Sequence, residues 1–132
     1  MELHHIGIVV KELESAAARY CEMFHYERLG EPILDPVQTV RVQFLKPRSH
    51  PSNLIELIEP LGEKSRVSDF LKRGGGINHL CYQVAELDAE ITRLRALGAL
   101  VVHAPVPAPA FYGKAIAWLY TPDRELIELL EQ

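Results

Sequence analysis

The amino-acid sequence predicts an α+β chain of two tandem β-α-β-β-β modules, and three observations carry that prediction. The first is an internal repeat. Residues 4 to 20, HHIGIVVKELESAAARY, align without a gap to residues 78 to 94, NHLCYQVAELDAEITRL, at an offset of 74. LIELIE at 54 to 59 returns as LIELLE at 126 to 131, at an offset of 72. The second is periodicity: each copy opens on a short apolar run, continues with apolar residues at helical spacing, and ends in further short apolar runs. The third is size. A chain of 132 residues, 48% of them hydrophobic, suits a single domain, whereas one copy alone, at about 60 residues, buries too little surface to be more than marginal. Module one is expected at about 1–62, a linker at about 63–75 and module two at about 76–132, sharing one core.

Taken in order, Leu3 to Val10 reads as a buried strand. Leu13, Ala16, Ala17, Tyr20 and Phe24 then recur at helical spacing, with Glu12, Glu14, Arg19 and Glu22 on the opposite face. Glu27 to Ile33 is a weaker strand, Asp35-Pro36 a turn, and Val40 to Leu45 and Asn53 to Ile58 two more strands. In the linker, Val67, Phe70 and Leu71 suggest a helical turn that Gly74-Gly75-Gly76 ends. This glycine run lacks the preceding strand and following helix of a phosphate-binding loop. Ile77 to Val84 restarts the order as a strand, and Leu87, Ile91, Leu94 and Leu97 form a helical stripe that Gly98 caps. Strands follow at Leu100 to His103, Ala115 to Tyr120 and Glu125 to Leu130. The connection from Ala104 to Lys114 carries Pro105, Pro107 and Pro109 and is expected to be extended and stiff. Long connections of this kind tend to be functional, so Phe111, Tyr112 and Lys114 are candidates for a substrate pocket.

Composition narrows the function classes. A net charge of −4 and a pI near 5.8 argue against nucleic acid or a polybasic membrane role. The opening run IGIVV is too short to span a bilayer and lacks a cleavage site, so a cytoplasmic location is expected. Cys21 and Cys81 have neither the number nor the spacing of a disulfide framework or a zinc ribbon.

The chemistry rests on four residues. His5 aligns with His79 and Glu56 with Glu128, so each copy supplies one imidazole and one carboxylate. Because strand side chains alternate, Glu56 shares its face with apolar neighbours in LIELI, and a carboxylate there is costly unless paired, protonated or bound to a cation. Two copies related by a pseudo-two-fold bring these groups to one place, a four-ligand N/O site without thiolate, suited to one divalent ion such as Zn, Ni, Co, Mn or Fe. Cys81 follows His79 by two residues on the same strand face, where Gly7 stands in the first copy. His4, His25, His50 and His103 do not pair across the repeat and are read as surface or structural residues, and the repeat partners Phe44 and Trp118 as core.

These residues resemble the vicinal oxygen chelate superfamily of glyoxalases, epimerases, extradiol dioxygenases and antibiotic-resistance proteins. Within it, IELIEPLGEKSRVSDFLKRGGGINHLCYQV and the closing RELIELLEQ are similar to the methylmalonyl-CoA epimerase family. The resemblance implies one fold with a metal-centred cleft, ligands His5, Glu56, His79 and Glu128, and often a homodimer. It also implies a small-molecule substrate whose two vicinal oxygens meet the metal, with Glu128, and less so Glu56, moving a proton next to a carbonyl. A second catalytic glutamate that bacterial epimerases carry on the third strand is replaced by Val42, beside Gln43, and the reaction is expected to tolerate packing-preserving changes at both. The leading expectation is an epimerase or isomerase of an acyl thioester. A glyoxalase I-like lyase and a metal-free antibiotic-binding protein are the alternatives.

Overall fold

The computed structural model describes residues 1–132. In chain order the elements are β1 (Glu2–Val9), α1 (Leu13–Phe24), β2 (Tyr26–Asp35), β3 (Val40–Pro47), β4 (Leu54–Pro60), α2 (Ser68–Lys72), β5 (Gly76–Val84), α3 (Leu87–Ala96), β6 (Leu100–Pro107), a 3₁₀ turn (Pro109–Phe111), β7 (Ala115–Tyr120) and β8 (Leu126–Glu131). The β-α-β-β-β order recurs as the repeat predicts. Two compact units form, one of His5–Asn78 and one of Met1–His4 with His79–Gln132. None of the helices is long and apolar enough to cross a membrane.

In the first unit the strands run β2-β3-β4-β1, with β1 parallel to β4 and the other neighbours antiparallel. Alternation sends Leu45, Ile55 and Leu57 to one face, where Leu13, Ala16 and Ala17 of α1 bury against them. The helix starts where the Glu12 carboxylate accepts the N–H groups of Glu14 and Ser15, and hydrogen bonding to Ser15 is the main cause holding that carboxyl below its usual range. Glu59 of β4 also accepts the Leu13 N–H at 2.7 Å, tying the helix start to the sheet. His25 ends the helix in the left-handed conformation, with φ 57°, which gives this unpaired histidine a structural role. Leu57 lies fully buried at the centre of this packing. Leu57→Ala is expected to cost about 2–5 kcal/mol through lost transfer energy and the cavity left behind, read as a lower urea midpoint.

One buried polar side chain of this unit holds backbone together. Gln43 is completely buried, and its side-chain amide donates to the carbonyls of Gly30 and Phe44, each at 3.0 Å. Gly30, at φ 73°, sits where the β2–β3 register shifts between Leu29 and Ile33, so Gln43 satisfies backbone that the bulge takes out of the ladder. Gln43 therefore contributes to folding stability, whatever the reaction tolerates there. Gln43→Met should destabilise by about 1–3 kcal/mol by stranding buried acceptors, while Val42→Ile should be near neutral.

The linker glycines serve geometry. Gly74, Gly75 and Gly76 all have positive φ, and a Cβ on Gly75 would come within 2.8 Å of the Val9 carbonyl oxygen. Gly75→Ala should thus lose more than about 1 kcal/mol, whereas substitutions at exposed, unstrained positions should stay within about 0.5 kcal/mol in the same denaturation assay.

The second unit repeats the plan as β5-β8-β7-β6, with β5 parallel to β8. Val84, Leu87, Ala117, Leu119, Ile127 and Leu129 form its helix-side core. α3 closes with the Ala99 N–H on the Leu94 carbonyl and the Gly98 N–H on that of Arg95, with Gly98 at φ 99°. Leu97, expected on the apolar stripe, is instead exposed because it sits at this helix end. The proline-bearing connection is extended as expected over its first part, where β6 continues through Pro107 beyond its expected end at His103, and then makes a tight turn in which the Ala108 N–H reaches the Lys114 carbonyl and the Gly113 N–H reaches that of Ala108. Prolines fit in β6 because it is the last strand in the order, where a missing N–H need not break a ladder bond.

Candidate metal centre

In the first unit, the β1–β4 register sets Gly7 opposite Glu56, and the β3–β4 register sets Phe44 opposite Glu56 from the other side. Directly opposed residues share a face. His5, two residues before Gly7, therefore projects on the face away from α1 along with Glu56, Phe44 and Val42. His5 Nε2 stands 2.9 Å from Glu56 Oε2, and the edge of Phe44 meets the His5 ring at a centroid distance of 5.3 Å. The β1 residue directly opposite Glu56 is thus a glycine, with no side chain.

The second unit builds the same arrangement with different fill. Cys81 lies opposite Glu128 on one side and Trp118 on the other, and His103 of β6 opposes Trp118. His79 Nε2 is 3.5 Å from Glu128 Oε2, and Trp118 packs edge-on to His79 at 4.7 Å. Cys81 is fully buried beside Glu128, as its place two residues beyond His79 predicts.

All four polar groups are buried, His5 to 1%, Glu56 to 7%, His79 to 3% and Glu128 to 3% exposure, so each carboxylate needs a nearby charge or proton. A divalent ion fits this donor chemistry. Nitrogen and oxygen ligands each about 2.1 Å from one ion and separated by about 2.9–3.5 Å subtend roughly 90–110°, an ordinary coordination angle. Both His–Glu pairs have such a separation.

Sequence reasoning did not foresee what three residues of these faces lie against. Phe44 is buried in the core as expected and Trp118 is half-buried, and each also lies next to a glutamate and against a histidine. His103, expected as surface or structural, stands in the row of Glu128 and Trp118. The signal for the aromatics was present, since they are repeat partners at the same offset as the histidines. No such signal existed for His103, whose repeat counterpart is Leu29. Of the pocket candidates, Phe111 is buried and packs on His4 at 5.6 Å, Tyr112 is fully exposed at φ 56°, and Lys114 is exposed.

Comparisons with known proteins agree with this architecture. The family model described as Glyoxalase/Bleomycin resistance protein/Dioxygenase superfamily matches residues 4–118. The ethylmalonyl-CoA/methylmalonyl-CoA epimerase of Cereibacter sphaeroides is 37% identical over 123 residues, 92% of this chain and 89% of that protein. The methylmalonyl-CoA epimerase structure from Mycobacterium tuberculosis superposes with a TM-score of 0.86 at 31% identity, covering 98% of this chain and 87% of that one. A variant of the Streptomyces coelicolor methylmalonyl-CoA epimerase, in complex with 2-nitronate-propionyl-CoA, does so at 0.84 and 26% identity, covering 100% and 97%. Repeat, strand order and buried His–Glu pairs thus meet in one conclusion: the chain belongs to the glyoxalase/bleomycin resistance protein/dioxygenase superfamily.

Proposed function

We propose that this chain is a metal-dependent epimerase that moves a proton next to the carbonyl of an acyl-CoA thioester, with methylmalonyl-CoA as the substrate to test first. The observation that carries the reading is the recurrence of one buried His–Glu pair at equivalent positions of both units, in a chain 37% identical to an ethylmalonyl-CoA/methylmalonyl-CoA epimerase. His5, Glu56, His79 and Glu128 would together hold one divalent ion. When bound, the ion supplies a Lewis acid that stabilises negative charge developing on the carbonyl oxygen.

The remaining chemistry belongs to the chain. Glu128, almost wholly buried, accepts the proton from one face of the carbon next to the carbonyl. Phe44 and Trp118 hold the two imidazole rings edge-on and so fix their orientation. With Val42 in the place of a second carboxylate base, Glu56 is the remaining acid for the opposite face of the carbon. Tyr112 and Lys114, exposed beyond β6, are proposed to border the substrate, with Lys114 offering charge to an anionic group. A homodimer completes the proposal.

The test is deuterium uptake from D₂O by the metal-loaded protein. Uptake into methylmalonyl-CoA at the carbon between its carbonyls supports the epimerase. Turnover of a hemithioacetal with no exchange into the thioester would replace it with a glyoxalase I-like lyase.

A further inference from the structure

We propose that the indole N–H of Trp118 is a specificity-determining donor for a carboxylate oxygen of the substrate, an inference that rests on the acyl-thioester reading above. The indole Nε1 is buried and has no hydrogen-bond partner. A buried donor left this way costs roughly 1–3 kcal/mol, so an indole kept there for packing alone would be an expensive choice. The repeat shows that packing alone needs no such group. Phe44 occupies the equivalent position, opposes Glu56 as Trp118 opposes Glu128, and meets His5 edge-on as Trp118 meets His79, with no N–H.

What distinguishes the second unit is therefore one donor, set in the row of Glu128 and against His79. Indole nitrogen donates and never accepts, so its partner is an acceptor. A dicarboxylic acid monothioester has one: after two vicinal oxygens are engaged, the carboxylate keeps a second oxygen that needs a donor. A simple acyl thioester has no such oxygen. Trp118 would thus select substrates with a free carboxylate over those without.

The experiment uses the metal-loaded full chain and its Trp118→Phe variant, which copies the Phe44 solution and preserves ring packing. Because the chain holds a single tryptophan, its emission reports on this indole directly. Three ligands are titrated: malonyl-CoA, propionyl-CoA and free malonate. The proposal expects malonyl-CoA and malonate to shift the emission of the wild-type protein. Calorimetry follows binding to both proteins, since Trp118→Phe has no tryptophan left to emit, and the proposal expects the variant to weaken malonyl-CoA binding about 10- to 100-fold, the effect of one hydrogen bond to a charged group, with propionyl-CoA binding unchanged. Equal weakening of both thioesters, or of neither, overturns it in favour of ring packing. If malonate shifts the emission but neither thioester binds, the donor stands and the acyl-CoA reading falls. If nothing binds the metal-loaded protein, both fall.

Discussion

Glu128→Gln is expected to slow deuterium exchange into substrate by about 10²–10⁴-fold, the usual contribution of a positioned acid-base group, while metal content falls far less. Glutamine keeps one oxygen for an ion but has no basic oxygen to take the proton. The structure makes this a clean substitution, because Glu128 is held between Cys81 and Trp118 in the sheet and the two side chains have nearly the same shape. Glu56→Gln should be milder, since its proposed proton role is secondary. Exchange measured at saturating metal on both variants, with metal content determined on the same samples, separates loss of a base from loss of a ligand. A Glu128→Gln protein that exchanges at the wild-type rate would leave this residue as a ligand only.

The contrast between these glutamates shows what the sequence exposes and what it hides. Strand identity, helix order and the four polar residues were legible because the repeat states each of them twice: one buried His followed by a Val at the strand end, and LIEL in both copies. Alternation alone puts Glu56 and Glu128 among apolar neighbours on one strand face. Features found in only one copy were harder to read. The bulge at Gly30 that Gln43 closes depends on β2–β3 register, which no local pattern specifies, and so the structural duty of Gln43 was hidden. His103 is similar: bulges on either side of it in β6 decide which face it takes, and prolines that suggested a loop are in fact edge-strand residues. The difference between Gly7 and Cys81 was visible, but that each stands directly opposite a glutamate follows only from the parallel register.

Metal removal should have the second large effect, on folding stability as well as on turnover. A ligand that binds only the folded chain stabilises it by RT ln(1 + [L]/Kd), about 2.7 kcal/mol at a hundredfold excess over Kd, which in a domain of this size raises Tm by roughly 5–15 °C. Chelation should therefore lower Tm by such an amount and abolish exchange, and one equivalent of divalent ion per chain should restore both. The single-residue version is sharper. His5→Ala and His79→Ala each remove one buried nitrogen, and each leaves its glutamate, Glu56 or Glu128, without its 2.9 or 3.5 Å imidazole partner. Both variants should lose the metal-dependent rise in Tm, and to a similar degree, because the repeat gives the two positions the same duty. His4→Ala and His103→Ala should keep it. A metal-dependent rise that survives in His5→Ala but disappears in His103→Ala would move the ion to the His103 row and end the four-ligand proposal, even if deuterium exchange continued to need metal.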